Sequence, residues 1–370
     1  MLLKLHKDNQ KPQKIKLRPF TPNNHGHILN EIKINCANGL VNVGATCYMN
    51  ATLQCFAHVE DLTKSLLKNQ KNRLNNSKYR LTNAYTEVLK NLWQNNNIKY
   101  YSPDNFKNVI SQMNPLFAGI QANDSKDLAL FLLEELHKEL NNVNQIKKES
   151  FNIINQYNYD EVLKSFCTYF SNNFRSKISN IFYGIFNSMM QCLNCNITTN
   201  NIQIFNILIF PLEEVRKNFN RIQNMVTLYE CFEYYQKGEY MMGQNQIHCN
   251  NCNLMSNSRN MTKLIISPNV LIINLNRGKG LQFNIKLLFE EYLDIRKYVF
   301  SDKSPTFYQL IGIVTHFGPS SMSGHFIAFC RSFINQKWYK YNDAQVSLSS
   351  FEEARTTGVP YILFFSILRG

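Results

Sequence analysis

The chain lacks any apolar run long enough to cross a lipid bilayer. Its longest apolar runs, at 270–275 and 361–368, are far shorter than the roughly 20 residues that a transmembrane helix needs. The opening residues, MLLKLHKDNQ, include a lysine at position 4 and no apolar stretch typical of a secretory signal. We therefore expect no membrane insertion and an intracellular location, in the cytoplasm, the nucleus or both.

Acidic residues are scarce relative to basic ones. The chain has 26 Asp and Glu against 40 Lys and Arg, which gives a formal charge of +14. An excess of this kind attracts polyanions, so a nucleic-acid-binding protein is one hypothesis. Much of the charge, however, lies in diffuse Lys- and Asn-rich stretches at 4–16 and 68–80, which are typical of solvated surface and loops. A nucleic-acid partner is not what we expect.

Ten cysteines occur without a secretory signal, so we expect no structural disulfide. Four of them form two C-x-x-C pairs, which are typical of the knuckles that hold zinc. We predict a four-thiolate structural Zn²⁺ site, with four unligated thiols as the alternative and the neighbouring His248 as a bystander. The predicted ligands are Cys192, Cys195, Cys249 and Cys252.

The distribution of residue types divides the chain into segments. Residues 1–35 are polar and basic and lack periodicity, so they form a predicted extension with a short strand at 14–17. An ordered domain is expected over 36–370, because 44% of the residues are hydrophobic. Its first part shows helical spacing and helix caps, with one more helix at 160–175, whereas β-branched and aromatic runs after residue 200 predict strands.

Cys47 follows a glycine-bearing turn and begins a stretch with helical spacing. A helix N-terminus favours a thiolate, because its unpaired N–H groups and its dipole stabilise negative charge. Asn42, five residues earlier, has a side-chain N–H that can stabilise an oxyanion. The hypothesis is a nucleophile with an oxyanion donor, and the alternative is an inert buried cysteine.

A second group of polar residues lies far downstream, in GHFIAF at 324–329 and WYKYND at 338–343. The two runs read as neighbouring strands, which would bring His325 near Asn342 and Asp343. That pairing suits a general base with a side chain that orients it. Taken separately, His325 is also consistent with a half-buried histidine and Asn342-Asp343 with a turn.

Together these motifs resemble the cysteine and histidine boxes of the ubiquitin-specific proteases. The resembling segments are GLVNVGATCYMN at 39–50 and GHFIAF at 324–329, joined by an acidic helix motif at 117–140 and a strand, SPNVLIINLNR, at 267–277. The resemblance covers roughly residues 39–366. It implies a papain-like α+β fold with a helical thumb, an antiparallel β palm and zinc-bound β fingers at about 183–265.

By the same resemblance, Cys47 is the nucleophile, His325 the base and Asn42 an oxyanion donor. Asn342 occupies the family's third position, and Asp343 either orients the imidazole instead or supports the oxyanion region. The resemblance also assigns recognition of the ubiquitin tail to three further residues, although one of them is equally consistent with a helix cap. These three are Asp124, the candidate cap, with Asp127 and Phe326.

The implied activity is that of a deubiquitinating cysteine protease, which hydrolyses the bond after the terminal glycine of ubiquitin. Its partners would be ubiquitin and ubiquitinated proteins, and we expect a monomer. Cys/His chemistry alone indicates only a cysteine hydrolase. Two alternatives remain, a catalytically silent ubiquitin-binding scaffold and a basic zinc-ribbon module that binds nucleic acid.

Overall fold

A computed structural model describes residues 36–70, 73, 76–143, 158–220, 224–278, 283–301, 304–320 and 323–368. The predicted extension at 1–35, with its strand at 14–17, lies outside these ranges. Among the described residues, no helix is both long and apolar enough to cross a membrane.

The described part of the chain holds ten α-helices and eighteen strands. The helices are α1 Cys47–Ala57, α2 Glu60–Lys68, α3 Arg80–Trp93, α4 Asp104–Met113, α5 Ser125–Leu140, α6 Tyr159–Asn173, α7 Lys177–Phe182, α8 Leu212–Asn218, α9 Leu228–Lys237 and α10 Phe351–Thr356. The strands are β1 Gly39–Leu40, β2 Tyr100–Tyr101, β3 Gly184–Cys192, β4 Thr198–Phe205, β5 Leu208–Pro211, β6 Met225–Thr227, β7 Glu239–Met241, β8 Ile247–Cys249, β9 Leu254–Ser256, β10 Ser258–Ile266, β11 Val270–Asn276, β12 Lys286–Leu288, β13 Tyr292–Asp294, β14 Phe307–Ser320, β15 Ser323–Arg331, β16 Trp338–Asn342, β17 Gln345–Ser349 and β18 Val359–Ile367.

One eight-stranded sheet forms the centre of the molecule. Its order is β17-β16-β15-β14-β18-β11-β5, with β13 also paired to β14, and all of its pairs except β11 with β5 are antiparallel. The apolar runs noted in the sequence become β11, which is buried in all but its last residue, and β18, which is buried at Pro360 and over 362–365. Strands of this composition are expected where both faces of a sheet are covered.

The helical part packs on this sheet through α1. Every residue of α1 is buried, and the helix lies between β14, β15 and β16 on one side and α2 and α5 on the other. Phe56 on α1 meets Phe182 of α7 and Phe364 of β18 edge to face, with ring centroids 5.7 and 5.1 Å apart. The helical and sheet parts therefore share one core.

A separate four-stranded sheet, β4-β3-β10-β7, projects from this body, and α6 packs on its β4 strand. The hairpin β8-β9 belongs to the same region. Between β4 and β7 in sequence, the chain returns to the central sheet as β5, and α8 packs against β5 and α9. The mixed α+β fold is thus confirmed, whereas the division into an extension and one domain with an insertion at about 183–265 stays a prediction.

The chain approaches itself closely where the first strand meets the β16-β17 hairpin. Leu40 N donates to the backbone oxygen of Asp343 at 2.9 Å. A Cβ on Gly39 would overlap the backbone of Ala344, so glycine is required for this contact. The contact ties the segment that leads to Cys47 to the segment that follows Asn342.

Phe56→Ala is expected to lower the free energy of unfolding by about 3–5 kcal/mol, because it opens a cavity where α1, α7 and β18 meet. The measurement is the midpoint of urea-induced unfolding. Phe300→Ala is the matched control, since Phe300 is 65% exposed and its loss should cost less than about 1 kcal/mol. Equal shifts for the two variants would show that α1 is not the shared core element.

Candidate active site

Cys47 is the first residue of α1, so its thiol lies at a helix N-terminus, as the sequence predicted. The residue is 6% exposed. Burial raises the pKa of the Cys47 thiol, the backbone N–H of Phe326 lowers it, and the nearby charge of Asp343 raises it further. The net shift is opposite to the one expected from the helix alone, because loss of solvation outweighs the N–H groups of one helix end.

The turn before Cys47 is organised by the side chain of Asn42. Its Oδ1 accepts from Thr46 N at 2.9 Å and from Gly44 N at 3.3 Å. Two residues of the turn have positive φ, 111° at Gly44 and 47° at Ala45. Positive φ is strained for alanine and is retained where surrounding contacts impose it. The oxygen of the Asn42 side-chain amide is thus used by the turn, and its nitrogen is directed to Asp343.

His325 lies near the start of β15, beside Phe326, whose backbone N–H approaches the sulfur of Cys47. His325 Nε2 is 2.6 Å from Asn342 Oδ1 on the neighbouring strand β16. Because an amide oxygen only accepts hydrogen bonds, Nε2 carries the proton in this pair. Nδ1 is then the ring nitrogen with a free lone pair, which is the form of imidazole that can accept a proton.

Asp343 is placed differently from its neighbour. Its Oδ2 lies 4.0 Å from His325 Nε2, beyond hydrogen-bond distance. Instead, Oδ2 accepts from Asn42 Nδ2 at 3.0 Å and Oδ1 accepts from Asn50 Nδ2 at 2.8 Å. The carboxylate therefore contacts the oxyanion candidate rather than the histidine. The sequence predicted roles for Asn42, Asp343 and His325. It predicted none for Asn50, although Asn50 lies with Asn42 in the cysteine motif at 39–50.

Asp124 is the N-cap of α5, and its Oδ1 accepts from Lys126 N at 2.7 Å. Its Oδ2 accepts from the hydroxyl of Tyr361 on β18 at 2.6 Å. Asp127, in the first turn of α5, pairs with Lys126 Nζ at 3.0 Å. Capping, one of the two roles predicted for Asp124, is thus observed, together with a link between the helical part and the sheet that the sequence did not reveal.

Phe326 extends this link from the histidine strand, since its ring lies 5.5 Å from that of Tyr361. On its other side it meets His316 at 4.7 Å. A side chain at Gly324 would overlap the His316 ring, which explains the glycine directly before His325. Sequence reasoning missed both Tyr361 and His316. The residues next to Tyr361 and His316 in sequence form no motif that marks either residue as part of the site.

The two C-x-x-C pairs come together at the end of the projecting sheet. All four Sγ atoms lie within 4.8 Å of one another, and contacts across the pairs include 3.9 Å for Cys192 with Cys252 and 3.8 Å for Cys195 with Cys249. Four sulfurs held at about 2.3 Å from a tetrahedral ion would be about 3.8 Å apart. A disulfide would need about 2.05 Å. The thiols therefore fit a tetrahedral metal site.

Both knuckles close in the same way. Asn196 and Asn253, each directly after the second cysteine of its pair, have φ of 60° and 57°. Their backbone nitrogens donate to the carbonyls of Cys192 and Cys249 at 2.9 and 2.7 Å. Asparagine is among the few residues that adopt this left-handed conformation readily. The shared sequence C-x-x-C-N thus encodes the turn as well as the ligands.

Comparison with known proteins gives consistent results. The sequence model of the ubiquitin carboxyl-terminal hydrolase family matches residues 38–365. "Ubiquitin carboxyl-terminal hydrolase 2" of Bos taurus is 26% identical over 341 residues, which are 89% of this chain and 55% of that protein. "Ubiquitin carboxyl-terminal hydrolase 21" of Homo sapiens is 25% identical over 90% of this chain and 61% of its own length. The chain thus spans little more than half the length of these curated relatives.

Solved structures show the same fold. A chain in the SAGA Ubp8/Sgf11/Sus1/Sgf73 DUB module bound to ubiquitin aldehyde aligns with a TM-score of 0.66 at 23% identity, and the alignment covers 90% of this chain and 70% of that one. A chain in a monoubiquitin complex of the same four proteins aligns with a TM-score of 0.68, also at 23% identity. That alignment covers 90% of this chain and 69% of the other.

The raised pKa of Cys47 predicts a specific pH dependence for its alkylation by iodoacetamide. Since only the thiolate reacts, the rate should be low near pH 7 and keep rising into the alkaline range. The measurement is peptide mass spectrometry at a series of pH values, with N-acetylcysteine in the same solution as the reference thiol. A plateau reached below pH 7 would mean that the resting thiol is already ionised.

Proposed function

Because this chain belongs to the ubiquitin carboxyl-terminal hydrolase family, we propose that it is a thiol-dependent deubiquitinase with Cys47 as its nucleophile. The observation that carries the proposal is the arrangement of three side chains from three elements. Cys47 begins α1, and the backbone N–H of Phe326, the residue after His325, approaches its sulfur. Asn342 Oδ1 lies 2.6 Å from His325 Nε2. A nucleophile, a base and an orienting acceptor are the groups that acyl transfer to a thiol needs.

The first step is formation of the thiolate. His325 takes the proton of Cys47 through Nδ1, because Nε2 is already donating to Asn342. The negative charge of Asp343, whose Oδ2 lies 4.0 Å from Nε2, attracts the resulting imidazolium. Burial opposes ionisation in the free protein, so an approaching carbonyl that consumes the thiolate favours this proton transfer.

The second step is attack on the carbonyl carbon of the substrate's terminal glycine. As the carbonyl oxygen becomes negative, Nδ2 of Asn42 donates to it, since this nitrogen uses one proton on Asp343 and has a second one for the oxyanion. The tetrahedral intermediate collapses to a thioester when the leaving amine takes the proton from His325. Water, deprotonated by His325, then hydrolyses the thioester and regenerates the thiol.

Ubiquitin as the substrate is supported by the names of the relatives and by the acidic residues at the start of α5. Ubiquitin's tail is basic, and Asp124 and Asp127 present carboxylates there. Asp124 is held by Tyr361, whose ring packs on Phe326 next to the proposed catalytic histidine. We assign tail binding to Asp124, Asp127 and Phe326 on this basis.

The metal we assign to the four cysteines is Zn²⁺, in a structural role. Four thiolates that fill a tetrahedron leave no open position for substrate, which is typical of structural rather than catalytic zinc. The projecting region is a thin four-stranded sheet with a two-stranded hairpin at its end. Within the hairpin β8-β9 only Ser256 is buried, so cross-linking by a metal there supplies stability that packing does not.

Ubiquitin carrying a C-terminal thiol-reactive group is expected to form a single covalent adduct with the purified protein. Cys47→Ala should abolish the adduct, whereas Cys167→Ala, which removes an exposed cysteine, should leave it unchanged. Intact-mass spectrometry reads out the result. An adduct with Cys47 but no hydrolysis of ubiquitin amides would indicate a silent scaffold, and the absence of an adduct would argue against ubiquitin.

Removal of the metal is expected to loosen the projecting sheet before the catalytic core. The protein should contain one zinc ion per chain by elemental analysis, and a strong chelator should lower its thermal unfolding midpoint, because metal binding is coupled to folding. Cys249→Ser should lower both zinc content and midpoint, while Cys36→Ser, outside the cluster, should change neither. A zinc-free preparation with the same midpoint would contradict a structural metal.

A further inference from the structure

We propose that Asn50 is a positioning residue, which acts through Asp343 to hold the side-chain amide of Asn42 toward the reacting carbonyl. The inference rests on the proposed function and adds a residue to it. Asn50 lies one turn after Cys47 on α1 and is 3% exposed, so it does not touch substrate itself.

The orientation of the Asn50 amide is fixed by its surroundings. Its Nδ2 has three acceptors, Asp343 Oδ1 at 2.8 Å and the backbone oxygens of Leu40 and Val41 at 3.2 Å each. A reversed amide would point its oxygen at three other oxygens, which is repulsive. Asn50 Oδ1 is buried and has no partner among the described residues. If only shape mattered at this position, leucine would fill it without burying an unsatisfied oxygen. The asparagine is therefore explained by its N–H donors.

Asp343 transmits the constraint. Asn50 holds one carboxylate oxygen and Asn42 donates to the other, at 2.8 and 3.0 Å. The backbone of Asp343 has φ of 51° and its carbonyl accepts from Leu40 N, so the main chain is fixed at the same point. With both ends held, the carboxylate presents Oδ2 to Asn42 in a single orientation.

Asn42 is the residue that needs this support. It is exposed, and the turn binds its oxygen, through Thr46 and Gly44. Within the part of the chain that the structure describes, its nitrogen is held by Asp343 Oδ2 alone. An oxyanion donor accelerates the reaction when it is already oriented before charge develops. Loss of Asn50 would free Asp343, and Asn42 would then lose the contact that directs its N–H.

The test compares Asn50→Leu with Gln54→Met on the same helix. Gln54 is a matched control, since it is 1% exposed, donates to the backbone oxygen of Asn38 at 2.8 Å and also has a buried oxygen that meets no donor among the described residues. With a ubiquitin C-terminal fluorogenic amide, Asn50→Leu should lower kcat about 10- to 100-fold, part of the roughly 10²–10³ for a whole oxyanion donor. KM and the alkylation rate of Cys47 should change less than about twofold. Equal kcat for the two variants would overturn the proposal.

A double-mutant cycle distinguishes positioning from general damage. Asn42→Ala should cost less in the Asn50→Leu background than in the wild type, because the donor is already misplaced there and only the loss of the acceptor for Thr46 N and Gly44 N remains. It should keep its full cost in the Gln54→Met background. Additive losses from Asn42→Ala and Asn50→Leu would overturn the proposal. Asn50→Ser, which keeps a small polar side chain, replaces Asn50→Leu if that variant does not fold.

The positioning can also be measured without turnover, which separates it from the proposed function. In protein labelled with ¹⁵N-asparagine, the side-chain signal of Asn42 is identified by its absence in Asn42→Ala. It should shift and broaden in the Asn50 variant and stay in place in Gln54→Met. Wild-type protein inert toward ubiquitin amides would refute the proposed function. An unchanged Asn42 signal would refute the role of Asn50.

Discussion

The site depends on the complete burial of α1 between the helical part and the central sheet. This single helix packs against β14, β15 and β16 on one side and α2 and α5 on the other, and the core around it includes residues from both parts. Its first residue is Cys47, while β15 carries His325 and β16 ends at Asn342. Apolar packing along the length of α1 therefore fixes where Cys47 lies relative to His325, the proposed nucleophile and base, which are 278 residues apart in sequence.

The same burial imposes a chemical cost. A thiol taken out of water resists ionisation, and the pKa of Cys47 is raised accordingly. The backbone N–H groups of Phe326, Tyr48 and Cys47 partly offset this rise in the pKa, whereas the charge of Asp343 adds to it. The packing that buries Cys47 in the site thus also disfavours its thiolate in the free protein.

Much of the fold could be predicted from local pattern. The helix expected at 160–175 is α6 at Tyr159–Asn173, and the apolar run at 270–275 is most of β11. A continuous run of β-branched and other apolar residues predicted the strand, because an element that is covered on both faces needs no alternation with polar residues. The order of strands in the central sheet could not be predicted this way. The parallel pairing of β5 with β11, for example, depends on which distant segments share a core.

Residue type and spacing were enough to predict the chemistry available: a cysteine at a helix start, a histidine followed by an Asn-Asp pair, and two C-x-x-C-N knuckles. These are properties of short segments. Which of Asn342 and Asp343 faces the imidazole became clear from the fold, because adjacent residues on a strand end and a turn point in different directions. The fold alone also joined Asn42 and Asn50 to Asp343, since contacts between segments this far apart leave no local trace in sequence.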